Sequence, residues 1–369
     1  MDTVLVTGGA GFIGRHVSRH LLKKGYSVRI LDSLVEQVHH GQTPAGLPSD
    51  AELIIGDVRD TNVLGRALQG VGAVIHLAAE VGVGQSMYAV ERYVSGNDLA
   101  TAALFEGLMK RSIRRVVVAS SMSIYGEGLY RTSEGRLVEN AVRAPRLSAA
   151  TGWEPLDAKG KPLIPIPTPE WKQPSLASVY ALTKYVQEQL TLTLASAYGM
   201  EGVALRLFNV YGSGQSLSNP YTGVLAIFAS RLLNGHRPVI FEDGLQRRDF
   251  VHVEDVARAF VMALEKPGIA GVIFNIGSGH DRSVLEIAKL LAEAMGRPDI
   301  KPEISGQGRT GDIRHCFGDV TKAATKLGFE AKRNFSEGLS ELTQWVARQT
   351  ATDMVDEARR ELEKRGLVA

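Results

Sequence analysis

Cysteine is all but missing: Cys316 is the one thiol in 369 residues. An intrachain disulfide and a multi-cysteine zinc site are therefore excluded. No apolar run approaches the roughly 20 residues that a membrane-spanning helix needs. Neither charge dominates, with 42 Lys and Arg against 40 Asp and Glu, a formal net charge of +2. Such a balance supplies no broad basic field, so neither nucleic acid nor a membrane is an expected partner. The opening residues Met1-Asp2-Thr3-Val4-Leu5-Val6 lead straight to Gly8, with no basic stretch before a removable apolar one. A cytoplasmic location is expected. An anionic ligand would have to be met by locally placed arginines. The 44% apolar content suffices for one large domain and a smaller one.

The first half alternates short β-branched runs with helical stretches. Strands are expected at 3–7, 27–31, 51–55, 73–77 and 115–120, with helices at 12–24 and 100–110 between them. Apolar strands separated by helices predict a doubly wound, Rossmann-type parallel sheet covered on both faces, an α/β fold. Residues 127–174 break the rhythm. Pro155, Pro162, Pro165, Pro167 and Pro169 crowd together there and predict a long loop or flap. Helices follow at 178–198, 223–234, 254–265 and 283–295, strands at 203–208 and 272–276, then two short helices and a charged helix over 353–365. The expected domains are a dinucleotide-binding unit at 1–210, to which 248–276 return, a smaller α/β substrate unit at 211–247 and 277–346, and a helical tail at 347–369.

The run Thr7-Gly8-Gly9-Ala10-Gly11-Phe12-Ile13-Gly14 joins the first strand to the first helix. Gly8, Gly11 and Gly14 allow a tight turn and a close backbone approach to a pyrophosphate, and the helix N-terminus offers free N–H groups to the anion. Glycine spacing alone is a weak signal; strand, turn and helix in register make it strong. Asp32, followed by Ser33, ends the second strand, where an acid accepts from ribose hydroxyls and repels a 2′-phosphate. NAD is thus expected over NADP. Asp57 and Val58 follow the third strand, where adenine is met.

Tyr180 and Lys184 lie four apart on one helix face. A phenol with a pKa near ~10 is a poor base at neutral pH; a neighbouring ammonium favours the phenolate. Alone this pair is a common pattern on solvated helices. Ser120, Ser121 and Ser123 follow the fifth strand, at the end of the sheet where ligands bind. Ser121 is placed to donate to, or relay a proton from, a substrate oxygen, whereas strand-end capping explains Ser120 and Ser123 equally well.

Together with Leu77-Ala78-Ala79 after the fourth strand, these motifs resemble the extended short-chain dehydrogenase/reductases that act on nucleotide sugars. The segments 206–212, 246–253, 275–279 and 309–312 strengthen the resemblance, which spans residues 1 to about 346. It implies that Gly8, Gly11, Phe12, Ile13, Gly14, Asp32, Ser33, Asp57, Val58, Leu77, Ala78, Ala79, Asn97, Ser120, Tyr180 and Lys184 hold NAD. It implies that Val81, Ser121, Ser123, Asn209, Arg248, Arg309 and Asp312 meet the nucleotide-diphosphate sugar, with Ser121, Tyr180 and Lys184 catalytic. The planar guanidinium groups suit a diphosphate. A homodimer through the helices at 100–110 and 178–198 is also implied.

The related 4,6-dehydratases carry an Asp-Glu pair after the catalytic hydroxyl residue. Met122 and Ser123 stand there in this chain, so water elimination is disfavoured and inversion at C4 is expected. Residues 31–39, 78–84 and above all 216–224 resemble the dTDP-L-rhamnose 4-epimerase branch. The alternatives are another nucleotide-sugar 4-epimerase, a 4,6-dehydratase, a 4-ketoreductase or an NAD-sensing regulator; such regulators typically lose the Tyr/Lys pair. His16 and His20 read as a surface helix face rather than a zinc pair, since no third ligand is apparent. No metal is expected. The charged helix at the end reads as solvated, with packing on a partner subunit as its alternative.

Overall fold

The computed structural model describes residues 3–39, 46–143 and 152–368. Seven strands, β1 (Thr3–Thr7), β2 (Ser27–Asp32), β3 (Glu52–Ile55), β4 (Val71–His76), β5 (Arg115–Ser121), β6 (Glu201–Leu207) and β7 (Ile273–Ile276), form one parallel sheet in the order β7-β6-β5-β4-β1-β2-β3. The period of two sends neighbours in β1 to opposite faces. Val4 and Val6 join one core with Val17, Leu21, Val256 and Phe260. Leu5 joins another with Leu64, Leu104, Phe105 and Ala195. Helices α1 (Phe12–Lys23) and α4 (Val253–Glu265) thus cover one face, and α2 (Ala100–Leu108) and α3 (Val179–Ala197) the other. The predicted α/β class holds. A separate core gathers Tyr211, Leu225, Phe228, Leu291 and Leu342.

Two expectations need correction. The proline-rich flap contains a small antiparallel sheet: 129–131 pairs with 137–138 on one side and 164–166 on the other. Pro165 sits opposite Tyr130 in an outer strand, the one sheet position that tolerates a missing N–H. Part of the flap, 144–151, lies outside the described residues. Secondly, His16 is not on a surface face. It is 2% exposed, and its Nδ1 lies 2.5 Å from Glu254 Oε1, while His20 Nε2 lies 2.7 Å from Glu254 Oε2. The i, i+4 histidines of α1 grip one carboxylate at the start of α4, so the pair is a clasp between helices. Among the described residues no group of acids, histidines and cysteines is arranged to hold a metal, and no helix is long and apolar enough to cross a membrane.

Hydrogen bonds from His16, then His20, hold the Glu254 carboxyl far below the ordinary carboxylate range. A depressed carboxylate stabilises the fold above its unfolded pKa of about 4.3, and that contribution is lost as pH falls toward the folded value. Glu254→Gln is expected to lower stability at pH 7 by about 1–3 kcal/mol. The gap from the parent should close below pH 4, as followed by thermal unfolding at several pH values; a pH-independent gap would refute this account.

Candidate active site

The glycine turn is built by crowding. A Cβ on Gly8, whose φ is +66°, would stand 2.7 Å from Ala78 N, and one on Gly14 would stand 2.5 Å from Gly8 O. Gly11 enters α1 without a side-chain cap, leaving the first N–H groups to an anion. Phe12 and Ile13 are only half-buried beside it. Asp32 is 8% exposed; its Oδ2 accepts from Ala10 N at 3.0 Å and its Oδ1 from Leu34 N at 2.9 Å. A carboxylate with two acceptors used retains capacity for ribose hydroxyls. Cradle, uncapped helix end and acid together fit a dinucleotide. Ser33 is exposed at the rim. Asp57 is held by Arg59, with Oδ1 2.9 Å from Nε and Oδ2 2.6 Å from Nη2, and this hydrogen bonding lowers its pKa. Val58 points into the core, so only its backbone faces outward.

Helix α3 starts at Ser178, whose hydroxyl accepts from Ala181 N. It sets Tyr180 and Lys184 beside the ends of β4 and β5. The Tyr180 N–H donates to Ser86 Oγ at 3.0 Å, and the ring packs edge-on against Tyr93. Burial raises the phenol's pKa, and a hydrogen bond with Ser121 opposes the rise. The group that opposes the rise here is Ser121. Lys184 is itself pushed down to about 7 by burial, against the pull of Glu188 and Asp98. Its Nζ donates to Gln187 Oε1 at 2.6 Å. Burial and then Lys184 push the His76 imidazole down to about 3.

Other predicted residues serve as frame. Asn97, fully buried in a π-helical turn at Val94–Leu99, accepts from Glu80 N at 2.6 Å and donates to Thr183 Oγ1 at 2.9 Å. Such bulges are frequent at functional sites. Its side chain thereby ties the stretch after Leu77, Ala78 and Ala79 to α3. The Ser120 hydroxyl turns away from the cleft and donates to Glu188 Oε2 at 2.6 Å. The Ser123 N–H donates to Ser121 Oγ at 3.1 Å. Sequence reasoning missed Ser86, Gln187 and Glu188. The last two carried a signal, lying three and four residues beyond Lys184 on the same helix.

The substrate side assembles around the loop 309–316. Arg309 Nη2 lies 2.8 Å from Asp312 Oδ1, and its guanidinium stacks 5.1 Å from the centre of the Phe241 ring. These two residues, expected to contact separate parts of a nucleotide, pair with each other. Arg248 donates to the carbonyls of Arg247, Ile313 and Arg314, so it braces the loop. Asn209 Oδ1 is buried without a hydrogen-bond partner, a polar atom suited to a ligand. Val81 is 53% exposed. The buried cations Arg143 and Arg314, both missed from sequence, bind the flap to this loop. Arg143 reaches Glu127 at 2.9 Å and also Glu242, and Arg314 reaches Glu154 at 2.5 Å and Asp243 at 2.6 Å.

Comparison with known proteins follows the same lines. Residues 4–146 and 158–277 match the NAD dependent epimerase/dehydratase family. The break between the two stretches falls within the flap. A dTDP-L-rhamnose 4-epimerase of Burkholderia thailandensis is 35% identical over 94% of this chain and 95% of its own length. The UDP-glucose 4-epimerase of Thermotoga maritima, solved with UDP-glucose, superposes with a TM-score of 0.77 at 32% identity, covering 94% of this chain and 99% of that one. A UDP-glucuronic acid 4-epimerase of Bacillus cereus, solved with UDP-glucuronic acid and NAD, gives 0.74 at 27% identity, covering 94% and 99%.

Removing the Ser121 hydroxyl leaves burial unopposed at Tyr180. Ser121→Ala is expected to raise the phenol's pKa, moving the rise of kcat/KM with pH to higher pH. A pH–rate profile checks this; an unmoved limb would show that Ser121 does not tune the phenol.

Proposed function

Since the chain belongs to the NAD dependent epimerase/dehydratase family and is an NAD-using isomerase of the nucleotide-sugar 4-epimerase kind, we propose that it inverts C4 of dTDP-L-rhamnose, interconverting it with dTDP-6-deoxy-L-talose. The likeness to the Burkholderia enzyme, running the length of the chain, carries this choice of sugar. Met122 and Ser123, standing where dehydratases keep acids, support inversion over elimination.

In this reading the backbone at Gly8, Gly11, Phe12, Ile13 and Gly14 holds the pyrophosphate of NAD and Asp32 its adenosine ribose. Asp57 and Val58 border the adenine, and Lys184 holds the nicotinamide ribose. NAD, when bound, supplies a reversible acceptor and donor of hydride. Tyr180 Oη takes the proton from the C4 hydroxyl and later returns it. Ser121 orients that oxygen and holds the phenol. Lys184 stabilises the phenolate once its ammonium is turned toward the site. Arg248 and Arg309 neutralise the diphosphate's two charges, and the unpartnered Asn209 Oδ1 accepts from a donor on the ligand.

A UDP-sugar 4-epimerase is the second reading, favoured by the superposition on the Thermotoga enzyme. NMR of a panel of dTDP-, UDP- and GDP-sugars separates the two. The expected result is inversion of dTDP-L-rhamnose without added cofactor. Tyr180→Phe should lose about 10²–10⁴-fold in kcat with substrate binding retained. Turnover of a UDP-sugar alone would favour the second reading, while stoichiometric consumption of NAD would replace both with a dehydrogenase and stoichiometric consumption of NADH with a ketoreductase.

A homodimer is proposed through the outer side of α2 and α3. Leu182 on α3 and Leu99, just before α2, are 44% and 55% exposed, and Val94 is 41% exposed. These side chains are apolar area that a helical interface would remove from water. Sedimentation should give twice the chain mass; a monomer at micromolar concentration would refute it.

A further inference from the structure

The last described segment, 352–368, does not behave as a solvated tail. It begins against the substrate-side core. The Thr352 N–H donates to Ser218 Oγ at 3.0 Å, and Asp353, 6% exposed, lies 3.2 Å from Arg231 and 2.6 Å from His236. The helix Val355–Lys364 then carries the chain across to the other side of the cleft. Its one fully buried residue, Leu362, is 4% exposed. Leu362 packs on Gly84, where a Cβ would stand 3.4 Å from the Leu362 methyl and 3.9 Å from Arg309 Nη1. Arg365 stacks 4.4 Å from the centre of the Tyr88 ring, and Tyr88 shares a 2.6 Å hydrogen bond with Tyr221.

Beyond the helix the chain folds back onto the loop that presents Arg309. The Thr310 N–H donates to Leu367 O at 2.9 Å, and Arg309 and Val368 form an antiparallel bridge. Arg359 Nη2 donates to Gln307 Oε1 at 2.7 Å. Two loops with no covalent proximity, 81–88 after β4 and 305–312, are thus clamped by one segment. Gly84, Leu362 and Arg309 meet at a single point.

We infer that residues 352–368 form a strap that fixes the nucleotide-diphosphate side of the substrate site, with Leu362 as a positioning residue for Arg309. The strap rests on the nucleotide-sugar reading for its ligand. It touches neither the side chains of Tyr180 and Ser121 nor the glycine turn, and the one link from the clamped loop to Tyr180 runs from Ser86 to its backbone N–H rather than to the phenol. Loss of the strap should therefore weaken substrate binding while sparing hydride transfer and cofactor retention, because a loosened loop must be ordered anew at each binding event.

Three variants test it: Leu362→Ala, Leu362→Met, and a chain ending at Arg365, which removes the Leu367 carbonyl but keeps the helix. For Leu362→Ala and the shortened chain, KM for the turned-over nucleotide sugar should rise about tenfold or more. Their kcat should stay within about twofold, with unchanged bound NAD, and in the shortened chain, which keeps Leu362, with an unchanged unfolding temperature. Amides of 305–312 should exchange faster with deuterium in the same two variants. Leu362→Met, which refills the volume, should stay near the parent on both measures. Unchanged KM together with unchanged exchange would overturn the strap, as would a fall in kcat alone. If the parent turns over no nucleotide sugar, the functional reading fails. The exchange measurement then decides by itself: faster exchange upholds the clamp and unchanged exchange overturns it.

Discussion

Glu188 and Arg206 form a buried ion pair on which the geometry of the site rests. Glu188 is fully buried on α3, and Arg206, 3% exposed on β6, meets both its oxygens at 2.9 and 2.7 Å. Ser120 on β5 adds a third hydrogen bond to the same carboxylate. Tyr125 Oη and the carbonyl of Glu170 accept from Arg206 Nη1. One turn earlier on α3 stands Lys184, and one strand position after Ser120 stands Ser121. The pair therefore fixes the rotation and height of the helix bearing the phenol against the strand bearing the hydroxyl. Such a pair contributes little net stability, because desolvation offsets attraction, but deleting one member strands a charge at about 3–5 kcal/mol. Its value lies in specifying one alignment.

That alignment lies in a dry environment, which sets the electrostatics. Burial alone makes the Tyr180 phenol a weaker acid and the Lys184 ammonium a stronger one than either is in water. The pocket opposes the first effect locally through Ser121 and the second through Glu188 and Asp98. Asp98 is itself raised to about 6 by burial, although Lys184 pulls it down. Lys184 near 7 and Asp98 near 6 thus titrate close to neutrality, the range in which a proton can move both ways.

Much of this was legible beforehand. The parallel sheet announced itself because its strands are buried on both faces and read as continuous apolar runs. The glycine turn was legible because crowding there excludes any Cβ. Tyr180 and Lys184 were legible only through context. What escaped was polar and long-range. Glu254 looks like an ordinary first-turn acid until α1 brings two histidines to it. Arg143 and Arg314 look like surface charges until the flap folds over them. The flap itself was misjudged because proline density argues against strands in general but not against an outer strand. Asn97 and Arg248 bond backbone groups and Ser120 bonds Glu188, contacts that spacing does not announce, because the direction of a side chain depends on neighbours remote in sequence.

Asp32 carries a consequence of a different sort. Its two oxygens already pin Ala10 and Leu34, so the carboxylate proposed to receive the adenosine ribose also holds the turn and the loop after β2 in shape. Discrimination between dinucleotides and the architecture that receives either of them are written into one side chain. Exchanging that side chain to admit a 2′-phosphate would dismantle the receptacle at the same stroke. In this layout a change at position 32 acts on the shape of the turn and on the ribose pocket together.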